Sequence, residues 1–473
     1  MKFSRLPKRG VLAGLSGPQL VCAAAAAAAV VAGLYLGGPA GLVWASPIWA
    51  CGAGLALISV AGRKLVEWAP IAWRWASKTR KGQTMYLRRV TRPRPAGTLA
   101  LPGDAAALRQ WADPQTGAAI VHDPHADTLT AVAELAHPSF VLLDPADQER
   151  RVQTWSKVLA TCCRSGRIAR VQILERTLPD SGSGLADWWA AHGTDDGSWT
   201  SNVYRELIDR AGPASERHTT TISLALDLKT ARRAIRAAGG GNRGAAAVLA
   251  QEMHTLETAL RAADLHPRRW LNPEQLALTL RGAYDPAAQT TLEREPRIGR
   301  DPATAGPVAV RESWDKLRTD TACHAVLWIS EWPRAQVFPG FLAPLLLSSG
   351  TRRSFSLTIT PIRADQAAKD LRRKKTEHIA DQTGRAKVGQ IEDAAQTAEY
   401  GDVLKQEADL TAGHGLCRYT GLVAVTADTP QNLQAALAAV EQTAIQASCE
   451  TRLLAGQQAQ AFTAAALPLC REV

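Results

Sequence analysis

From Gly10 to Gly62 the chain carries no charged residue. The run is too long for one membrane helix and about right for two. Gly37-Gly38-Pro39-Ala40-Gly41 interrupts it, and the halves on either side, about 18–36 and 42–61, each approach the roughly 20 apolar residues that span a bilayer. This pattern predicts a two-helix hairpin. A cleaved signal peptide competes with it, because a basic start before an Ala-rich core has that form. Against the signal peptide, apolar sequence continues for another twenty-odd residues and a dense basic cluster follows. One span plus a re-entrant or interfacial segment is the third arrangement.

Beyond the run, Trp68, Trp73, Trp75 and Tyr86 alternate with cations, a mixture that favours the headgroup zone but also suits an ordinary first soluble helix. Arg92-Pro93-Arg94-Pro95-Ala96-Gly97 reads as a linker. Short strands are expected at 118–122, 128–133 and 140–143, then a helix over about 146–163 and a strand over 167–174. Residues 178–199 read as a surface excursion. A strand at 218–228, a basic helix to Ala238, a Gly239-Gly240-Gly241 break and an Ala-rich helix over 245–263 follow. Asn-Pro at 272–273 introduces another short helix, and 284–307 reads as a long loop. Strands are expected at 323–329 and 355–359, the latter ended by Pro361, with a short apolar helix at 339–347 between them. Residues 364–410 predict a long charged helix or a helical hairpin broken near Gly384. A strand at 416–427 leads to a helix capped by Thr429 with Pro430 at its first position. Leu433, Leu437, Val440 and Ala444 form its inward stripe. A strand near 449–454 and an end helix at 456–466 complete the order.

The fold class expected is therefore mixed α/β (α+β). A two-helix transmembrane hairpin precedes a cytoplasmic body of two ferredoxin-like subdomains with a long charged helical insertion. The divisions are 1–62 for the hairpin, 63–97 for a basic and aromatic juxtamembrane segment, 98–215 for a first α/β subdomain and 216–473 for a second.

Charge sharpens this picture. The formal net charge is +11, yet residues 1–100 hold 14 Lys and Arg against the single acid Glu67. They contribute +13, which leaves −2 for the rest. The basic character belongs to the membrane border, where Arg63, Lys64, Trp68, Trp73, Trp75, Lys78, Arg80 and Lys81 stand. Cationic flanks stay cytoplasmic, so a multi-pass protein of the cell membrane with both termini inside is expected, its first partner the lipid bilayer. A near-neutral body disfavours direct nucleic-acid binding. Eight Cys without CxxC spacing suggest neither a disulfide framework nor zinc, as suits a reducing cytosol.

Chemistry-bearing motifs are weak. No Walker A loop occurs; the nearest spacing, Gly384–Gly389, is followed by Gln390 in the charged helical region. Gly239, Gly241 and Gly244 match G-x-G-x-x-G by letter but follow a helix, where a dinucleotide site needs a strand. His122, Asp123 and His125 are the one tempting metal or acid–base group. Pro124 interrupts them, and a turn between two strands accounts for His-Asp-Pro-His. No nucleophile–base pair, cofactor site or metal site is assigned.

The C-terminal third resembles a known family. Arg353–Pro361, the charged helical stretch, Gly413–Val425, and Gly456-Gln457-Gln458-Ala459-Gln460-Ala461-Phe462 before Leu467-Pro468-Leu469 are similar, in that order, to the N-terminal domain of VirB-four-type ATPases of type IV secretion and conjugation. Gly14-Leu15-Ser16-Gly17-Pro18-Gln19-Leu20 resembles the start of PrgI/VirB-three-like membrane subunits. The whole looks like an actinobacterial conjugation-type protein in which anchor and ATPase N-terminal domain share a chain. Cys470 stands where that family continues with Gly, and the sequence ends at Val473, so the resemblance implies a motor on a separate chain. It implies a non-catalytic, membrane-anchored assembly component that docks a VirB-four-type secretion ATPase and other apparatus subunits and forms homo-oligomers. The residues it points to are Gln19 in the anchor and Gln457, Gln458, Phe462, Leu467 and Pro468 at the C-terminus, as packing or interface. A membrane-tethered enzyme centred on His122, Asp123 and His125, and a DNA-handling adaptor, are the rival readings.

Overall fold

The computed structural model describes residues 16–473 apart from 61, 90, 92–94, 137–139, 180–182, 195, 212–215, 296–300, 334 and 389–393. The N-terminal cations, Gly14-Leu15, the Arg92-Pro93-Arg94 part of the linker, Gly389 and Gln390 lie outside these described residues. Two compact units are present, one within Ser4–Thr84 and one comprising Met85–Val473.

In the first unit, helical backbone covers Gly17–Trp44 and Ser46–Leu57. Gly38 leaves the helical range with φ 54° and ψ −142°, and Pro39 follows. Glycine tolerates positive φ and proline has no N–H to continue the ladder, so the chain doubles back here. Gly33 meets Gly41, Cys22 and Ala26 meet Gly52, and Gln19 reaches Ala56, a set of contacts centred on Gly37 and Gly38. A Cβ on Gly41 would collide with the Gly33 carbonyl, so the arms approach as closely as glycine allows. By length and composition, among the described residues, the one helix able to cross a membrane is Gly17–Trp44; Ser46–Leu57 is a shorter apolar helix of 12 residues. The second expected span is thus divided: its start belongs to the first helical run, and Ser59–Val60 (β1) pairs with Arg63–Lys64 (β2) as a small antiparallel ribbon. Helix Leu65–Arg80 follows, with Trp68, Ile71, Trp75 and Lys78 half-buried along one stripe.

The second unit is built on a sheet that, among the described residues, has 13 strands. They are β3 (Met85–Leu87), β4 (Arg109–Ala112), β5 (Ala119–Asp123), β6 (Thr128–Ala136), β7 (Ile168–Pro179), β8 (Glu216–Asp227), β9 (His266–Trp270), β10 (Ala309–Glu312), β11 (Leu317–Thr319), β12 (Cys323–Glu331), β13 (Arg352–Ile362), β14 (Leu416–Ala427) and β15 (Glu450–Leu453). Two ferredoxin-like sets emerge from the pairing. One has the order β9-β6-β8-β7 and the other β15-β12-β14-β13, each the 4-1-3-2 order of a β-α-β-β-α-β unit. Their second strands join antiparallel, from Ser354 opposite Arg176 to Ile359 opposite Val171, making one continuous sheet. The duplication extends further. β4-β5 precede β6 as β10-β11 precede β12. In both repeats the first strand pairs its preceding hairpin early and its fourth strand late.

Three cores follow from the alternation of strand residues. Helices Pro145–Ser165 and Gly241–Ala262 cover one face of the first repeat, over Leu129, Ile222 and Leu224. Helices Ala343–Leu347 and Pro430–Gln446 cover the same face of the second. The opposite face carries helices Pro273–Tyr284 and Gln458–Ala466, whose apolar residues merge with Leu99, Leu101, Val132 and Val326 in a core common to both repeats. Local signals explain the helices: Asn272 and Gln275 form a capping box, Thr429 accepts from the Asn432 N–H, and Leu433, Leu437, Val440 and Ala444 are buried as their spacing predicts.

Several expectations need correction. Phe140–Leu142 is a short 3-10 turn rather than a strand. β13 runs past Pro361 to Ile362, because its ladder with β7 ends at Ile359 and only β14 remains as a neighbour there. Residues 178–199 and 284–307 contain helices Ser183–His192 and Gln289–Arg294. Gly384 lies inside helix Ala364–Val388, which pairs with Ala394–Thr411 as a helical hairpin through Lys375–Glu407 and the His378–Tyr400 ring stack at 4.4 Å.

Candidate functional site

The C-terminal residues singled out in the sequence form a strap under the seam between the repeats. Helix Gln458–Ala466 starts with its Ala459 N–H on Glu312 Oε1 at 2.8 Å. Gln458 is fully buried; its Oε1 accepts from the Val326 N–H and its Nε2 donates to the Leu454 carbonyl, both at 2.9 Å. Phe462 lies between the rings of Tyr284 and His324, at 5.1 and 4.5 Å. Leu467 and Pro468 are buried, and Gln457 is half-buried at the helix start. An interface role for Gln458, Phe462 or Leu467 would require the strap to leave the sheet. In the folded chain their part is packing.

Beyond the helix the strap is held by polar groups that sequence reading did not single out. Gln172, fully buried on β7, donates to Ser356 Oγ and to the Ala464 and Leu467 carbonyls, and its Oε1 accepts from the Cys470 N–H at 2.8 Å. Ser223 on β8 donates to the Pro468 carbonyl at 2.9 Å. Arg170 pairs with Glu472 at 2.6 Å. Gln172 and Ser223 of the first repeat, together with Ser356 of the second, whose hydroxyl donates to the Ala464 carbonyl at 3.1 Å, therefore satisfy backbone groups the strap cannot pair itself, as burial demands. Burial pushes the Cys470 thiol up to about 12, so it packs as an inert apolar group.

His324 anchors the second repeat beneath Phe462. It is completely buried, its Nε2 2.7 Å from Thr319 Oγ1 and its Nδ1 2.8 Å from Thr426 Oγ1. Thr319 donates onward to the Tyr284 carbonyl at 2.6 Å, so its hydroxyl accepts from the His Nε2–H and Thr426 donates to Nδ1. A neutral imidazole satisfies all of these bonds. Burial lowers its pKa to about 3. Two buried arginines on the second strands also act as carbonyl clamps: Arg176 donates to Thr279 O at 3.0 Å, and Arg353 donates to Leu346 O at 2.7 Å and Ser348 O at 2.6 Å. Desolvation lowers both, Arg176 to about 10.

His122, Asp123 and His125 form a turn. Asp123 Oδ1 accepts from the His125 and Ala126 N–H groups, and its other oxygen lies 3.4 Å from Arg471. The three glycines at 239–241 separate two helices, each with positive φ. One open cleft of about 580 Å³ is lined by Arg88, Arg89, Gln110, Trp111, Pro273 and Asp301, and a larger one of about 720 Å³ lies beside Arg167, Thr230, Arg233 and Gln251.

In the anchor, Gln19 is buried and bridges the hairpin, donating to the Ala56 carbonyl while accepting from the Ser16 N–H, both at 2.8 Å. The border residues tie the hairpin to the next helix. Lys64 donates to the Leu57 carbonyl, Trp68 Nε1 to the Val60 carbonyl at 3.0 Å, and Arg63 sits 5.9 Å from the Trp68 ring. Trp73, Arg80 and Lys81 are exposed, and Trp75 and Lys78 are half-buried. Val21, Val31, Tyr35, Leu36, Val43 and Trp44 are exposed on the hairpin.

Residues 214–329 match a family model described as "Putative type VII ESX secretion system translocon, EccE". The matched stretch runs from β8 of the first repeat into β12 of the second, across the junction of the duplication. No curated protein matches the chain. The likeness expected from the sequence, to a secretion-system component, thus finds its counterpart, with type VII in place of type IV; the match carries no link to a VirB-four-type ATPase. By this stretch, the chain is similar to a component of a type VII secretion translocon.

Proposed function

We propose that this chain is a non-catalytic, membrane-anchored subunit of a type VII secretion translocon. The observation that carries the reading is the match over residues 214–329; the apolar hairpin and its exposed surface support it. The hairpin enters and leaves the bilayer on the cytoplasmic side, where its cationic flanks are favoured, and holds the duplicated α/β body there. The body contributes surface to a complex of apparatus subunits, including several copies of itself and the energy-supplying subunit. The buried Gln172–strap network and the glycine-packed hairpin are scaffold features, matched to holding a shape rather than to turnover.

The test is purification of the tagged full chain from membranes in mild detergent, with its partners identified by mass spectrometry, alongside alkaline extraction of the membranes. Retention after alkaline extraction and recovery of type VII apparatus subunits are expected. Release by alkali, or recovery of a conjugation ATPase in place of type VII subunits, would sink the reading. Replacing Gly41 by Leu should separate the hairpin arms and lower membrane retention.

A further inference from the structure

Two thiols from opposite repeats meet at the root of the charged insertion. Cys163 stands near the end of helix Pro145–Ser165, and Cys417 is the second residue of β14, where the chain returns from helix Ala394–Thr411. Their sulfurs are 3.5 Å apart, although 254 residues separate them in sequence. Gly415 makes the approach possible. A Cβ there would come within 2.6 Å of the Cys163 sulfur and 3.1 Å of Ala160 Cα, so only glycine lets β14 lie this close to the helix. Among the described residues no other pair of sulfurs is in such contact, and neighbouring Cys162 faces the first-repeat core instead.

We propose that Cys163 and Cys417 are a reversible thiol–disulfide site that staples the first repeat to the second when the protein meets a peroxide. The site needs a shift of about 1.5 Å to reach bonding distance. The two sulfurs already face one another, so the shift is within side-chain reach. Cys163 is the attacking partner. The hydrogen bond with Cys417 and the nearby Arg164 lower its pKa, whereas the same bond and burial push that of Cys417 up. The Cys163 thiolate attacks one peroxide oxygen, the O–O bond breaks, and a sulfenic acid forms as hydroxide leaves and takes up a proton. Cys417 then attacks that sulfur, its proton leaves with the displaced oxygen as a second water, and the S–S bond closes. Two thiols and one hydrogen peroxide become one disulfide and two waters, and a dithiol reductant restores the pair. In a reducing cytosol the site rests as thiols. Oxidation would fix Leu416 and Cys417 against the helix and stiffen the return point of the insertion.

The experiment treats the full chain in detergent micelles with hydrogen peroxide, blocks free thiols with N-ethylmaleimide, and maps cross-linked peptides. The expected product joins the peptide holding Cys163 to that holding Cys417, disappears with dithiothreitol, and raises the thermal unfolding midpoint. Cys163→Ser and Cys417→Ser should each abolish it; Cys162→Ser should keep it. Slower proteolysis at Gly413–Gly415 after oxidation, absent in Cys417→Ser, reads the stiffening. A vicinal Cys162–Cys163 product, a cross-link that survives Cys163→Ser, or unmodified thiols in folded wild-type protein would overturn the proposal.

Discussion

The two repeats carry helical insertions at the same place in their topology, between second and third strands, and those insertions have opposite chemistry. The one after β7 ends in helix Trp199–Ala211 and exposes Trp188, Trp199, Tyr204 and Leu207, with Trp199 79% exposed. The one after β13 is a charged hairpin. Its first helix holds seven cations against four acids, its second four acids against one lysine, and Lys375 pairs with Glu407 across them. β7 and β13 are antiparallel, so the insertions leave the joined sheet at opposite ends. The charged hairpin closes on itself through the Lys375–Glu407 pair and the His378–Tyr400 stack. The aromatic one leaves apolar surface to water at a cost. A duplicated scaffold has kept its frame while its two loops diverged into one closed and one open surface.

The strongest way to break that comparison is to attack what the repeats share. Phe462→Ala should cost about 3–5 kcal/mol and lower the stability of both repeats together, seen as one denaturant transition shifted whole. Two separate transitions would show that the repeats are independent and the common core is unimportant. A second test separates the repeats by pH. Counting from Val132 and Val326, which both face the common core, the first repeat has Thr130 where the second has His324. The folded pKa of His324 lies below its unfolded value, so the unfolded chain binds the extra proton and stability falls as pH drops from about 6.5 towards 3. The slope is up to about 1.4 kcal/mol per pH unit, or about 2 kcal/mol by pH 5. Urea unfolding of His324→Gln at pH 7 and pH 5 should show this component flattened; an unchanged slope would exclude His324 as its source.

Smaller effects sharpen the picture. Removing the Thr429 cap in the second repeat or the Asn272 cap in the first should cost about 1 kcal/mol each, measurable as parallel shifts in the urea midpoint. Trp199→Ser and Leu207→Ser should change stability by no more than about 0.5 kcal/mol yet reduce binding of a hydrophobic dye. The same change at Ile379 or Leu404, the large apolar residues exposed on the charged hairpin among the described residues, should reduce it less. Equal losses would erase the distinction between open and closed insertions.

Legibility varied with the range of the forces involved. The Gly-Gly-Pro break, the Thr429–Pro430 helix start and its four-residue stripe were readable because backbone freedom, capping and amphipathic period act within a few residues. β14 was read to its ends for the same reason, since its alternation is strong. Short strands such as β10 and β11 carry too few residues for a period to show, although β15 was expected near 449–454; β11 exists because β12 offers it an edge, and β10 because β11 does. The C-terminal residues were visible as a motif but not as a strap, since what fixes them is Gln172 some 300 residues away.

By itself the sequence determined where the chain is apolar without interruption, where charge gathers, and which local turns and caps punctuate the body. Those properties act between near neighbours and survive in any context. The tertiary structure alone decided that the body is one duplicated frame joined through β7 and β13, that Gln172 and Phe462 lock its end beneath the seam, and that Cys163 meets Cys417. Each of these depends on strands choosing partners hundreds of residues away. That choice is set by the burial of whole faces, which no short stretch of sequence encodes.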